Sequence, residues 1–133
     1  MFAYLLILRL RIMLAHQWIY QLFESIDSKD TKKFMTFLAP SSVFRFGNIP
    51  PVEGNENIES FISQFFVSIE AISHELVEIF DVPEGKLCHG FVSYTRKNNT
   101  ILTVPFANVL KGGERNITEY LIFADTSKLY DDQ

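Results

Sequence analysis

Cysteine is nearly missing: Cys88 stands alone in 133 residues. No intrachain disulfide can form, which points to a reducing, cytoplasmic setting. Glycine and proline are scarce, at six and five residues, so low-complexity and collagen-like readings fall away. Positive charge is also short, with twelve Lys and Arg against sixteen Asp and Glu and a net charge of −4. That sign is wrong for a general nucleic-acid binder, and the longest basic cluster is only Lys32-Lys33. The three histidines have no His-x-His spacing or close carboxylate on one face, so no metal or other cofactor is expected. Long apolar runs are absent too. Phe2–Leu8 is uncharged and stops at Arg9 and Arg11, under half of the about 20 residues a spanning helix needs. A secretory signal carries positive charge before its apolar stretch, and here it comes after. A membrane is therefore not an expected partner. Residues 1–11 read as an apolar extension of the first helix, packed on the domain or on a second subunit.

What the chain has in excess is phenylalanine: thirteen, against one Trp and five Tyr. So much flat apolar surface lines a core, a cavity or a subunit contact. At 15.4 kDa one core is affordable and two are not, so residues 12–133 read as a single domain. Ile12, Ala15, Trp18, Ile19, Leu22, Phe23 and Ile26 recur at helical steps in a first helix. Asp30 caps a short second helix carrying Phe34 and Phe37, with Pro40 ending it. Asn55 caps a third, whose stripe is Ile58, Phe61, Ile62, Phe65, Phe66 and Ile69. Ser42–Phe46 reads as a short strand. From Ile72 the period drops to two, giving long strands over Ile72–Val82, Lys86–Lys97, Ile101–Lys111 and Asn116–Asp125. Their short turns make antiparallel neighbours. The expected class is α+β, three helices packed on one face of a curved, mainly antiparallel sheet.

This order of elements resembles the nuclear transport factor 2-like superfamily, and within it the SnoaL-like polyketide cyclases and the ketosteroid isomerases. Local stretches that carry the resemblance are Phe23-Glu24-Ser25-Ile26-Asp27-Ser28-Lys29-Asp30, Phe44-Arg45-Phe46-Gly47-Asn48, Thr103–Leu110 and Ile117–Asp125 with Leu129-Tyr130 after it. The resemblance implies a cone-shaped fold with a deep pocket at its open end, and a homodimer formed through the convex sheet face. It also places the isomerase base at Phe46, its tyrosine at Leu22 and its neutral acid at Ala107, so that chemistry is lost. The epoxide hydrolase positions of the same superfamily fall near Phe91, Ser93, Ile122, Phe44 and Phe46, none of which activates water. Scytalone dehydratase uses paired histidines, and only His74 falls on a suitable strand.

Strand alternation sketches the pocket. Trp18 and Leu22 face inward from the first helix, and Phe44 and Phe46 from the short strand. His74, Leu76, His89, Phe91, Ser93, Pro105, Ala107, Tyr120 and Ile122 follow from the long strands. Phe106 and Asn108 then face outward. Arg45 also points away from the pocket, within reach of Glu119 or Asp125. Such an aromatic cup with a few polar tips suits an apolar small molecule. His74 is the candidate base and Tyr120 the candidate hydrogen-bond donor for a cyclase-, isomerase- or dehydratase-type reaction. Glu78 shares the parity of His74 and is the one carboxylate considered beside it. A third reading is a dimeric interaction module whose pocket is vestigial.

Overall fold

In the computed structural model, which describes residues 2–131, the alternation from residue 71 onward becomes three hairpin-linked pairings. The strands are β3 (Ala71–Val82), β4 (Gly85–Thr95), β5 (Ile101–Gly113) and β6 (Asn116–Ala124). β1 (Leu38–Phe46) joins β6 in parallel, and the two-residue β2 (Val52–Glu53) edges β1. The sheet order is β2-β1-β6-β5-β4-β3. The parallel β1–β6 pair closes the chain's longest loop, so the meander is anchored on the strand that precedes it. The result is a mixed α+β domain.

The described residues form four helices, one more than the periodicity predicts. α1 (Phe2–Ala15) and α2 (Gln17–Asp27) are separate, bent by 72° at His16. α2 is amphipathic and buries Ile19, Leu22 and Phe23 in the core. α1 is apolar on every side and buries nothing, so no stripe continues from one to the other. Ile12 and Ala15, expected on the buried stripe, are exposed. The helix thus breaks at His16, where residues 1–11 were expected to run on into one continuous first helix. Met1, Asp132 and Gln133, within the expected bounds 1–11 and 12–133, lie outside the described residues. No single helix among the described residues is long and apolar enough to cross a membrane.

α3 (Thr31–Met35) starts as expected, with the Asp30 carboxylate accepting the Lys33 N–H at 3.0 Å. Pro40 does not end it. The helix stops at Met35 and Pro40 sits exposed on β1, where the pairing with β6 shifts register and a missing N–H costs nothing. α4 (Asn55–Ser68) is preceded by Gly54 at φ 84°, and Asn55 is its first helical residue, not a side-chain cap.

The inner face of the sheet corrects the expected parity of two strands. On β4 the inward residues are Cys88, Gly90, Val92 and Tyr94, so His89, Phe91 and Ser93 point outward. On β5 they are Phe106, Asn108 and Leu110, so Pro105 and Ala107 point outward. Phe91 pairs with Pro105 across the two strands, so one error of phase turned both sets together. Both faces of these strands carry large apolar groups, Phe91 beside Val92 and Pro105 beside Phe106, so alternation alone does not choose between them. On β3 a bulge between Leu76 and Glu78 breaks the alternation. Glu78 is thereby turned to the outer face, where it meets His89 Nε2 at 2.9 Å.

Candidate functional site

Between the inner sheet face and helices α2 to α4 lies a small cavity of about 40 Å³ that opens to solvent. Phenylalanines dominate its wall: Phe34 from α3, Phe44 and Phe46 from β1, Phe65 and Phe66 from α4, and Phe106 from β5. Ile62, Ile72, Val92 and Ile122 fill the gaps. His74, Tyr94, Asn108 and Tyr120 are the polar tips.

Of the residues chosen from sequence, Phe44, Phe46, His74, Tyr120 and Ile122 therefore border one space. Trp18 packs against the core at its edge, and Leu22 is wholly buried, but neither lines the cavity. Leu76 shares the face of His74 and also stops short of it. His89, Phe91, Ser93, Pro105 and Ala107 are on the far side of the sheet. There Ser93 Oγ lies 2.8 Å from Thr103 Oγ1, and the His89 ring stacks on Phe80. Arg45 faces outward as expected, but lies over the Phe123 ring rather than on a carboxylate. Glu119 is engaged with Lys111 at 3.3 Å.

The partner of His74 is Asp27, the last residue of α2. Its Oδ1 lies 2.6 Å from His74 Nδ1, and its Oδ2 accepts the His74 backbone N–H at 3.0 Å. A carboxylate only accepts, so Nδ1 carries the proton, and in the neutral ring Nε2 is the lone-pair nitrogen. The ring is wedged between Phe23 and Phe106, with centroids 4.7 and 5.3 Å away.

The α2 terminus is fixed by its own sequence. Lys29 takes φ 54°, turning the chain back. Its ammonium donates to the carbonyls of Phe66, Ile69 and Glu70 at 3.0–3.1 Å. One cation thus caps the C-terminal end of α4 and pins the corner that presents Asp27 to β3. Sequence reasoning passed over Asp27 because it sits in an Asp-Ser-Lys-Asp cluster that looks like a helix stop and nothing more.

Tyr120 is fully buried, and its phenol is pushed well above its ordinary pKa by burial, with Cys88 and Asp27 nearby adding to it. The hydroxyl therefore stays protonated and can donate. Burial pushes the Cys88 thiol up to about 12 and raises the Tyr94 phenol as well. Tyr120 Oη and Asn108 Oδ1 are both buried and meet no partner at full hydrogen-bond geometry, but the Asn108 side chain stands close enough to Tyr120 to hold back the rise in its pKa. Among the described residues, no three His, Cys, Asp or Glu side chains gather as a metal-binding set.

No family model and no curated protein matches this sequence. Solved structures do. A SnoaL-like polyketide cyclase from Jannaschia sp. CCS1 superposes with a TM-score of 0.72 at 13% identity, covering 85% of this chain and 86% of its own. A nuclear transport factor 2-like protein of unknown function from Burkholderia pseudomallei K96243 gives 0.77 at 16%, covering 86% and 93%. TerC, co-crystallised with polyporic acid, gives 0.73 at 13%, covering 86% and 94%. At these identities the likeness is one of architecture, and the chain has the nuclear transport factor 2-like fold of the SnoaL-like proteins.

Proposed function

We propose that the protein binds an uncharged, largely apolar small molecule in this cavity, the pocket of a cone formed by the bent sheet and its helices. The observation that carries the reading is the wall itself: six phenylalanines around a space with an open mouth and only four polar side chains. Recognition by a few fixed polar groups in an apolar cleft is the usual build of a small-ligand site. That TerC, of the same architecture, was crystallised with polyporic acid is in keeping with it. A panel of uncharged aromatic and alicyclic compounds is expected to raise the unfolding temperature of the wild type and not of a cavity-filling Ile122→Trp variant. No shift across the panel overturns the reading.

Proton-transfer catalysis is the second reading, and the Asp27–His74 pair favours it. A histidine held in one tautomer by a carboxylate has the arrangement of a general base, with the Tyr120 hydroxyl as a donor to a developing oxyanion. Exchange of the α-hydrogens of 2-tetralone with solvent deuterium, followed by NMR, is the direct assay. Wild type is expected to exceed His74→Ala; equal rates remove His74 from the role. We further propose a homodimer built on the outer sheet face, where Phe91 and Phe123 are both nearly half exposed.

A further inference from the structure

Helix α1 has no seat on its own domain. None of its residues is buried, and the chain bends by 72° at His16, after which α2 enters the core. At 3.6 residues per turn its side chains leave no polar face. Leu6, Leu10 and Met13 cover one side, and Leu5, Leu8 and Ile12 the opposite one, all of them 41–64% exposed. Arg9 and Arg11 stand on the two flanks between, about 200° apart. A helix with one apolar face docks into a groove, whereas one that is apolar all round belongs in a large core or in lipid. A partner's groove, or the α1 helix of a second copy, covers one side and leaves the other in water. Hydrocarbon covers both.

Charge names the kind of lipid. Arg9 and Arg11 are the charged side chains of α1, and no Asp or Glu precedes Glu24. All sixteen acidic residues lie from Glu24 onward, where they outnumber the other ten Lys and Arg. The cationic end of an acidic chain is therefore its exposed apolar helix. We propose that α1 is an anchor lying within one leaflet of an anionic bilayer. Long arginine stems on the flanks carry both guanidinium heads up to the lipid phosphates while the leucines stay among the acyl chains. No crossing is involved: the fourteen residues make a helix of about 21 Å, against about 30 Å of hydrocarbon. The anchor is independent of what the cavity holds.

Flotation through a density gradient tests it, because lipid-bound protein rises with the vesicles while aggregates sink. The full chain is expected to bind vesicles of phosphatidylcholine mixed with phosphatidylserine. It should prefer them to phosphatidylcholine alone by about 25-fold, about fivefold for each arginine. Arg9→Gln combined with Arg11→Gln should remove that preference. Leu6→Gln combined with Leu10→Gln should weaken binding to either vesicle about a hundredfold or more. All four side chains are exposed, so thermal unfolding of the domain should not change. If the full chain floats with neither vesicle, or binds both equally, the anchor is wrong. If it instead sediments without lipid as a defined oligomer that the leucine variant breaks up, and does not float, a second copy covers α1 and the proposal falls. The wild-type comparison decides even where a variant does not fold.

Discussion

Asp27 holds one residue by two atoms. Its carboxylate accepts the backbone N–H of His74 and meets the ring Nδ1 of the same residue. Helix α2 is thus stitched to strand β3 at the point where His74 enters the cavity. The link is a positioning device whatever the cavity does, because the backbone bond fixes the strand and the ring bond fixes the side chain. Replacing Asp27 by Ala strands two donors in a half-buried place. Such a loss costs about 1–3 kcal/mol. Asp27→Asn keeps one acceptor oxygen and is expected to lose less. Urea unfolding of the two variants checks the order; equal losses mean that the second bond contributes nothing.

Lys29 supports the same corner from the other side, through its three carbonyls on α4 and the turn after it. Lys29→Met keeps the stem and removes the donors. Hydrogen bonds from charged groups are worth about 1.5–3 kcal/mol, and part of that is lost to solvent here, so a drop of about 1–2 kcal/mol is expected. Lys29→Arg should recover some of it, which a mere change in packing volume does not explain.

The sequence was informative where one physical signal acted alone. The long strands end within two residues of their predicted limits, because turn residues and period-two patterning agree. Helix α4 was legible from its stripe, and Asp30 from its capping chemistry. The errors have physical causes of their own. β4 and β5 are apolar on both faces, so hydrophobic patterning did not state which way they turn. Asn108 was expected outward only because it alternates with Ala107, so the same error of phase misplaced it; the fold buries it in the cavity wall. The bulge after Leu76 left no mark in the sequence, and with it went the parity that Glu78 was expected to share with His74. Asp27 was invisible as a site residue because its partner lies 47 positions away.

α1 contributes nothing to the core. From Phe2 to Leu14 its large side chains are exposed, and none of its described residues is buried. Removing residues 1–15 is therefore expected to change the unfolding free energy by no more than about 0.5 kcal/mol, as for surface changes generally. The same deletion should raise the concentration at which the protein stays dispersed, since it removes a contiguous apolar surface. A loss of several kcal/mol on chemical denaturation would show that the helix packs on the domain after all.

Alkaline pH should weaken the fold through Cys88. In the unfolded chain a thiol ionises near about 8.5, whereas in the folded protein burial pushes it up to about 12. Below both values the thiol is protonated in either state and has no effect. Between them the unfolded state releases a proton that the folded state keeps, so stability falls as pH rises. The slope is about 1.4 kcal/mol per pH unit for one such group. Cys88→Ala loses packing at every pH but should show a shallower decline between pH 8.5 and 9.5, below the range where tyrosines ionise. Thermal unfolding across that interval, run on both proteins, separates the two effects.

Gly90 offers the sharpest test of the corrected strand phase. It sits on the inner face of β4, opposite Leu76 and next to the bulge of β3. A Cβ built there overlaps the carbonyl oxygen of Glu75, which is backbone and cannot swing aside. The β3 backbone lies so close that only glycine fits, and this holds although Gly90 needs no left-handed φ. Gly90→Ala must therefore push β3 away from β4, disturbing His74 two residues from Leu76. Overpacking of this kind costs about 1–3 kcal/mol and occasionally more. Phe91→Ala, one residue along and on the outer face, should cost far less in a monomer under the same conditions. If Gly90→Ala is tolerated and Phe91→Ala is not, β4 faces the other way and the cavity wall described here is wrong.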